Sequence, residues 1–410
     1  MQEEQHDQDR TLAVQKRAPC SIAFFGHDAG ESTIIKRVTA FQAHGRKVLG
    51  FMFRRERGTS AKPPQWENVD LGPTVDRNYL RRAPKLAAAV VKVLQHRRAL
   101  AQCQVLYARN IDMLLIALVS RRLTGSRALV VHEVLDVQRV FIGGRPINKL
   151  FRWAERRMLG SCDLLVVSSP EFMSRYFQPY QGYAGQWRLL ENKISPQQLS
   201  ADRPPAALRG PPDPPPWIIG WFGRLRCMRS LDILCRIADR LGERVQIRLR
   251  GLPSEEDVPM RALVEACAAR TNLAYGGGYD SRRDLPDMYA GVHFAWCVDY
   301  QDAGANSDWL LPNRIYEGGL FGALALARKD TATARKVERE GLGWAFAEPL
   351  DQQICDFLDG LEIEAYTRAR HALEGADRSL FVDDTDTKEL LEYLDARARQ
   401  RGTAEADNVR

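Results

Sequence analysis

The feature that most constrains this chain is an alternation, run through twice, of short apolar segments and longer amphipathic ones. From Cys20 onward SIAFFG, KVLGFMF, QVLYAR, ALVVHEV, DLLVVSS and WRLLENK read as strands. Helix-like stretches lie between them at Ser32–His44, about Ala83–Leu100, Met113–Leu123 and Lys149–Leu159. The alternation restarts with WIIGWFG and continues through VQIRLRG, NLAYGG, VHFAWC and ALALA. Its helix-like segments run from about Arg229 to Leu241, near Met260–Arg270, and onward from Pro312. Strand-sized apolar runs separated by helices argue for parallel sheets covered on both faces, an α/β class.

Residues 195–216 separate the two runs and hold eight prolines. Such a stretch supplies neither a sheet ladder nor a helix interior. At 410 residues the chain is also too long for one core. The expected organisation is a disordered tail at 1–18 and a first domain at 19–195. A linker at 196–216, a second domain at 217–385, and a C-terminal helix and tail at 386–410 follow. Ligands of two such units are expected in a cleft, at the carboxyl ends of strands.

Charge is unevenly spread. Residues 1–200 carry 31 Lys and Arg against 17 Asp and Glu, or +14; residues 201–410 carry 28 against 35, or −7. A cationic half suits an anionic membrane leaflet, a lipid pyrophosphate or a nucleic acid. Arg54, Arg55, Arg57, Arg77, Arg81, Arg82, Lys85, Arg97 and Arg98, interleaved with Trp66 and Tyr79, are the expected membrane-facing cluster. No RNA-binding motif accompanies them, so nucleic acid is not an expected partner.

The eight cysteines are scattered singly, with no C-x-x-C pair or zinc-type cluster, and read as core residues of a reducing compartment. No apolar run reaches 18 residues and no signal-peptide core follows the polar N-terminus. The expected location is the cytoplasm, at most peripheral on the inner face of the cytoplasmic membrane.

Two constellations carry chemistry. In WFGRLRCMRS a strand ends at Gly223, with Arg224 and Arg229 just beyond it and a helix opening nearby. Two cations and a helix N-terminus at a strand's carboxyl end can clamp a diphosphate leaving group, whose growing charge is what sugar transfer from a nucleotide must stabilise. In LLPNRIYEGGLFGALALA, Pro312 suits a helix start, and Glu317 precedes Gly318, Gly319 and Gly322. Three glycines in five residues are costly in a helix, so close approach by a ligand is one reason for them and packing against the sheet another. The carboxylate could accept both hydroxyls of a ribose.

These two motifs resemble the C-terminal domain of bacterial GT-B glycosyltransferases, the glycosyltransferase family 4-like enzymes of surface-polysaccharide assembly. The resemblance implies two Rossmann-like domains facing a central cleft. It also implies donor-diphosphate contacts at Arg224 and Arg229, the latter in place of a lysine. It gives a ribose contact at Glu317, and Gly30, Asn313, Arg314 and Gly318 join the implied donor site. ENK at 191–193 matches the family's end-of-domain asparagine, and VHEVLD at 131–136 the region where members carry an acceptor-side histidine or acid. The family's first glutamate is absent: Trp309 stands eight positions before Glu317, with Asp308 one place off.

In FFGHDAGES, Gly26 and Gly30 permit a tight loop that turns His27, Asp28 and Glu31 toward a cleft. An inverting enzyme needs a general base. Asp28, Glu31, Glu133 and Asp136 are candidates with His132 beside them; a retaining front-face mechanism needs none. DDTD at 383–386 reads as a helix N-cap rather than a metal site, and the enzyme is expected to need no metal or other cofactor. The expected function is transfer of a sugar from a UDP- or GDP-linked donor to a lipid-linked saccharide, retaining the anomeric configuration. The alternatives are a nucleotide-sugar epimerase of the same architecture, a non-catalytic nucleotide-sugar sensor, or a basic nucleic-acid-binding protein.

Overall fold

The computed structural model describes residues 21–55, 64–74, 79–199 and 210–408. The expected tail at 1–18, most of the linker, and the side chains of Arg55, Arg57, Arg77, Tyr79, Arg81 and Arg82 lie outside the described residues.

Seven strands form the first sheet: β1 (Ile22–Gly26), β2 (Val48–Arg55), β3 (Glu67–Thr74), β4 (Val105–Arg109), β5 (Leu129–Val134), β6 (Leu164–Val167) and β7 (Trp187–Leu189). Six form the second: β8 (Trp217–Phe222), β9 (Val245–Arg250), β10 (Leu273–Tyr275), β11 (Phe294–Trp296), β12 (Leu324–Arg328) and β13 (Gly343–Phe346). The first runs β3-β2-β1-β4-β5-β6-β7 and the second β10-β9-β8-β11-β12-β13. The α/β expectation is met in both sheets. Each has the doubly wound order in which the strand sequence reverses, between β1 and β4 in one and between β8 and β11 in the other. Ligands of such sheets bind outside the carboxyl ends of those strands.

Eleven of these strands coincide with the apolar runs. The central ones are buried on both faces, as in IAFFG, LVVHEV and WIIGWF, where every residue is buried, while β7 and β10, at sheet edges, are exposed along all or part of their length. The other two are edge strands, as β7 and β10 also are. β3, ENVDLGPT, buries only Leu71, and β13 buries only Phe346. An edge strand covered on one side has no need of an apolar run.

The main helices are α1 (Ser32–Ala43), α2 (Tyr79–Gln95), α3 (Ile111–Thr124), α4 (Pro146–Leu159), α5 (Met228–Leu241), α6 (Met260–Ala268), α7 (Leu285–Ala290), α8 (Asn313–Leu320), α9 (Ala332–Glu340), α10 (Leu350–Gly360), α11 (Ile363–Glu374) and α12 (Asp386–Asn408). Local caps set several ends. Thr331 Oγ1 accepts the Ala334 N–H at 3.0 Å to start α9, and Gly341, at φ +65°, closes it. Asp383 accepts both the N–H of Thr387, at 2.8 Å, and its hydroxyl. The DDTD stretch thus serves the start of α12.

By contacts the chain forms two compact units, residues 1–132 with 161–164 and 388–410, and residues 133–160 with 165–387. This departs from the expected division at the proline-rich segment. Helix α12 joins the first unit, with Arg46 on Asp395 at 2.7 Å and Arg401 on Asp163 at 3.2 Å. Segments following β5, β6 and β7 join the second, where Lys336 pairs with Glu191 at 3.0 Å and Arg335 with Glu171 at 2.7 Å. Long-range ion pairs of this kind leave no mark on local composition.

The glycines of α8 are explained by packing. A Cβ at Gly318 would lie 2.9 Å from the Ala295 Cβ of β11, and one at Gly319 would lie 2.2 Å from the Phe381 ring. Gly322, at φ +80°, turns the chain toward β12. Gly318 is buried against the sheet, so the expected ligand contact there gives way to helix–sheet packing. Gly318→Ala should therefore cost about 1–3 kcal/mol of folding stability by overpacking, read as a lower denaturant midpoint at unchanged m-value.

On the inner side of α4, Glu155 accepts from the Tyr176 hydroxyl and from Gln181 Nε2, which also reaches Tyr176 at 2.8 Å. Burial pushes this carboxyl up to about 7, the two donors opposing. The retained proton favours the folded state. Its contribution is complete below about pH 4.5, the ordinary value, and is lost as pH rises through about 7. Glu155→Gln should flatten that decline, which is on the order of 3 kcal/mol, when urea midpoints at pH 5 and pH 8 are compared.

Candidate functional site

In the second unit the two sequence motifs reach the same edge of the sheet. β8 ends at Phe222, and the next residue, Gly223, turns at φ +114° while its N–H donates to Arg250 O at 3.0 Å. Gly251, at φ +130°, sits so close that a Cβ would lie 1.7 Å from Gly223 O. The loops after β8 and β9 therefore touch backbone to backbone, which only glycine permits. Phe222 stacks edge-on with the buried Tyr289 of α7, ring centroids 5.0 Å apart, and the Tyr289 hydroxyl donates to Glu317 Oε2 at 3.2 Å. This chain of contacts brings Glu317 of α8 to the end of β8, where Arg224 emerges. Arg224 is exposed and makes no hydrogen bond or ion pair with the described residues.

Arg314 lies beside Glu317. Burial raises the Tyr279 and Tyr289 hydroxyls, with Glu317 adding to the rise and Arg314 opposing it. Burial likewise pushes the Cys297 thiol up to about 12 under the same two charges. The Arg314 Nε is buried without a partner among the described residues, and its Nη2 reaches Val298 O at 3.5 Å. Asn313 Oδ1 accepts from Asn192, so the ENK asparagine meets the start of α8.

Arg229, in the first turn of α5, has a counter-ion. It pairs with Glu348 at 3.0 Å and lies over the Tyr300 ring at 4.1 Å. The Tyr300 hydroxyl donates to the same Glu348, and Arg328 covers the ring at 4.8 Å. Arg328 in turn pairs with Asp308, which also accepts the Gly304 N–H at 2.9 Å. Asp308 is thereby held in its own loop, and the position left by the missing glutamate is not filled by it. Arg226, unremarked in the sequence, pairs with the buried Asp299 beyond β11 at 3.2 Å. Arg226, Tyr279, Tyr289, Tyr300 and Glu348 form no local motif, because they come from separate loops and, for Tyr289, from helix α7. Only the strand-end rule, applied to Asp299 after VHFAWC, points to any of this group.

In the first unit, the loop after β1 carries a polar network. Glu31 meets His27 Nε2 at 2.6 Å and the Thr33 hydroxyl at 2.6 Å; Thr33 also accepts from Arg109 at 2.9 Å, and His27 Nδ1 lies 3.0 Å from Asn110 Nδ2. Burial pushes the Glu31 carboxyl up, but His27, Arg109 and Thr33 together hold it at about 2. So weak a base is poorly matched to proton abstraction near neutrality. Asp28 Oδ1 accepts the Gly30 N–H at 3.0 Å, so the amide expected to meet a donor is engaged within its own turn. His132 and Glu133 are buried within β5, the former with Nδ1 3.3 Å from Ala108 O. Asp136 accepts from Asn306 at 2.9 Å.

Two of the four described cations of the expected basic cluster have partners. Arg54 pairs with Asp70 at 3.4 Å, and Lys85 donates to Pro73 O at 3.0 Å. Trp66 is buried against Gly50 instead of standing among the cations. Arg97 and Arg98 are exposed. None of the seven described cysteines is in a disulfide, no described group of three His, Cys, Asp or Glu could hold a metal ion, and no described helix is long and apolar enough to cross a membrane.

No family model matches the chain. It is 30% identical over 376 residues to the succinoglycan biosynthesis protein ExoL of Rhizobium meliloti (strain 1021), covering 91% of this chain and 93% of that one. In structure it is similar to sucrose-phosphate synthase from Thermosynechococcus elongatus, with TM-score 0.69 and 14% identity over 94% of this chain and 100% of that one. It is also similar to Anabaena HepE in complex with UDP and glucose, with TM-score 0.66 and 14% identity over 92% of this chain and 100% of that one. The order of the two sheets, these folds and the sequence likeness to ExoL together establish that the chain belongs to the ExoL family of polysaccharide-biosynthesis proteins, built on the GT-B glycosyltransferase fold.

Proposed function

We propose that this chain transfers a sugar from a UDP- or GDP-linked donor to a lipid-linked saccharide during cell-surface polysaccharide assembly, on the cytoplasmic side of the membrane. The observation that carries this reading is a guanidinium, Arg224, uncommitted among the described residues, at the switch point of the second sheet, on the same edge as the Glu317 carboxylate. Arg224 would bind the diphosphate and Glu317 the ribose hydroxyls. Arg314 supplies a second positive charge beside Glu317, and Arg229 joins by exchanging Glu348 for a phosphate oxygen. HepE, of the same fold, is seen with UDP and with UDP-glucose, which supports a nucleotide-sugar donor.

In the reaction, the bond between the anomeric carbon and the diphosphate oxygen breaks as the acceptor hydroxyl oxygen bonds to that carbon. Arg224 stabilises the charge gathering on the departing phosphate, an interaction strongest in the transition state. The proton of the hydroxyl passes to the departing phosphate, and the anomeric configuration is retained. This course is favoured because the nominated carboxylates are otherwise placed: Glu31 is held at about 2 by its neighbours, Asp28 accepts within its own turn, Glu133 is buried within β5, and Asp136 accepts from Asn306. Cations on the chain take the place of a metal at the diphosphate.

A panel of nucleotide-sugars screened by thermal shift should yield a stabilising donor. Arg224→Ala and Glu317→Ala should each weaken its binding about ten- to a hundredfold, the effect of losing a hydrogen bond to a charged group; the unliganded melting temperature should hold in Arg224→Ala and fall in Glu317→Ala, which takes an acceptor from the buried Tyr289 hydroxyl. Undiminished binding in both variants would overturn the site. Donor turnover should persist in excess chelator. Loss of turnover that Mg²⁺ or Mn²⁺ restores would overturn the metal-independent mechanism.

A further inference from the structure

Helix α4 is the most exposed apolar element of the second unit. Ile147 is 50% exposed, Leu150 56% and Trp153 58%. At 3.6 residues per turn these three share an outward face with Lys149, Arg156 and Arg157, which are also exposed. The single acid of the helix, Glu155, is turned inward onto Tyr176 and Gln181. The outward face therefore carries apolar and cationic side chains and no anionic one.

Neighbouring residues extend it. The backbone carbonyl of Tyr180 accepts from Arg156 at 2.7 Å, and its ring lies under Arg152 at 5.7 Å. Tyr180 is 39% exposed, so a second amphipathic aromatic stands beside Trp153. Large exposed apolar side chains gathered on one element mark an interaction surface. An all-cationic surround with interfacial aromatics matches an anionic bilayer. A protein groove would ordinarily answer part of the helix with carboxylate partners. Stable peripheral binding needs both signals, apolar insertion and basic attraction, and this helix supplies them together.

We infer that α4 is a membrane-docking helix, inserting Ile147, Leu150 and Trp153 into the headgroup region of an anionic phospholipid bilayer while Lys149, Arg156 and Arg157 meet lipid phosphates. The inference rests on the lipid-linked acceptor proposed above and gives that reading its place of contact. It differs from the cluster at residues 54–98 to which the charge distribution pointed.

The test is co-sedimentation of the full chain with vesicles of equimolar phosphatidylglycerol and phosphatidylcholine, against phosphatidylcholine alone. The wild type should bind the anionic vesicles and release them as salt is raised. Lys149→Gln with Arg157→Gln should weaken binding about 25-fold, roughly fivefold per cation removed. Trp153→Ser should weaken it even in low salt, where charge alone is strongest. Melting temperature and nucleotide-sugar binding, read on the same variants, should be unchanged. Binding to anionic vesicles that is insensitive to these substitutions, or absent, would overturn the docking helix while leaving the transferase site intact. So would a dimer in sedimentation velocity that Trp153→Ser abolishes, since a second copy would then occupy the face. Vesicle binding lost in the α4 variants of a chain that binds no nucleotide-sugar would uphold the helix and defeat the transferase reading.

Discussion

The candidate site depends on a backbone contact. Gly251 approaches the carbonyl of Gly223 so closely that no side chain fits at that position. That contact binds the loops after β8 and β9 into one unit and delivers Arg224 beyond the sheet's carboxyl edge. The parallel arrangement does the rest. Each helix that follows a strand runs back along the sheet, so the residues that begin the next helices gather at one edge. Tyr289 is the strut between them: its ring packs on Phe222 and its hydroxyl holds Glu317.

Cations at this edge differ in how they are held. Arg229, Arg226 and Arg328 each have a carboxylate, while Arg224 has none among the described residues and Arg314 keeps a buried nitrogen unpartnered. An arginine that already has a counter-ion can bind a phosphate only by exchange. An unpartnered one keeps its full attraction for an incoming anion, since no standing ion pair must first be broken. The second case suits the group that must grip a diphosphate as its charge grows. The first suits groups that shape the loops around it.

The first unit uses the same switch-point geometry differently. The loop after β1 meets Arg109 and Asn110 at the end of β4 in a closed network around Glu31. Its carboxylate is stabilised so strongly that it serves structure better than proton transfer. His132 and Glu133 lie within the strand read from ALVVHEV, and that strand buries both.

The sequence by itself determined the two α/β repeats, eleven of the thirteen strands, and the placement of Arg224 after one strand and Glu317 in the helix before another. Most of these follow from local apolar pattern, because a central strand buried on both faces must be largely apolar. β3 and β13 escaped because neither is such a strand: each buries a single described residue, Leu71 and Phe346. Tertiary structure alone decided which arginine is loaded: Arg229 and Glu348 are 119 residues apart, and nothing local records their meeting. It decided that the α8 glycines serve Ala295 and Phe381, and that α4 turns Glu155 inward and Trp153 outward. Charge pairing and exposure depend on distances through space, which residue order does not encode locally.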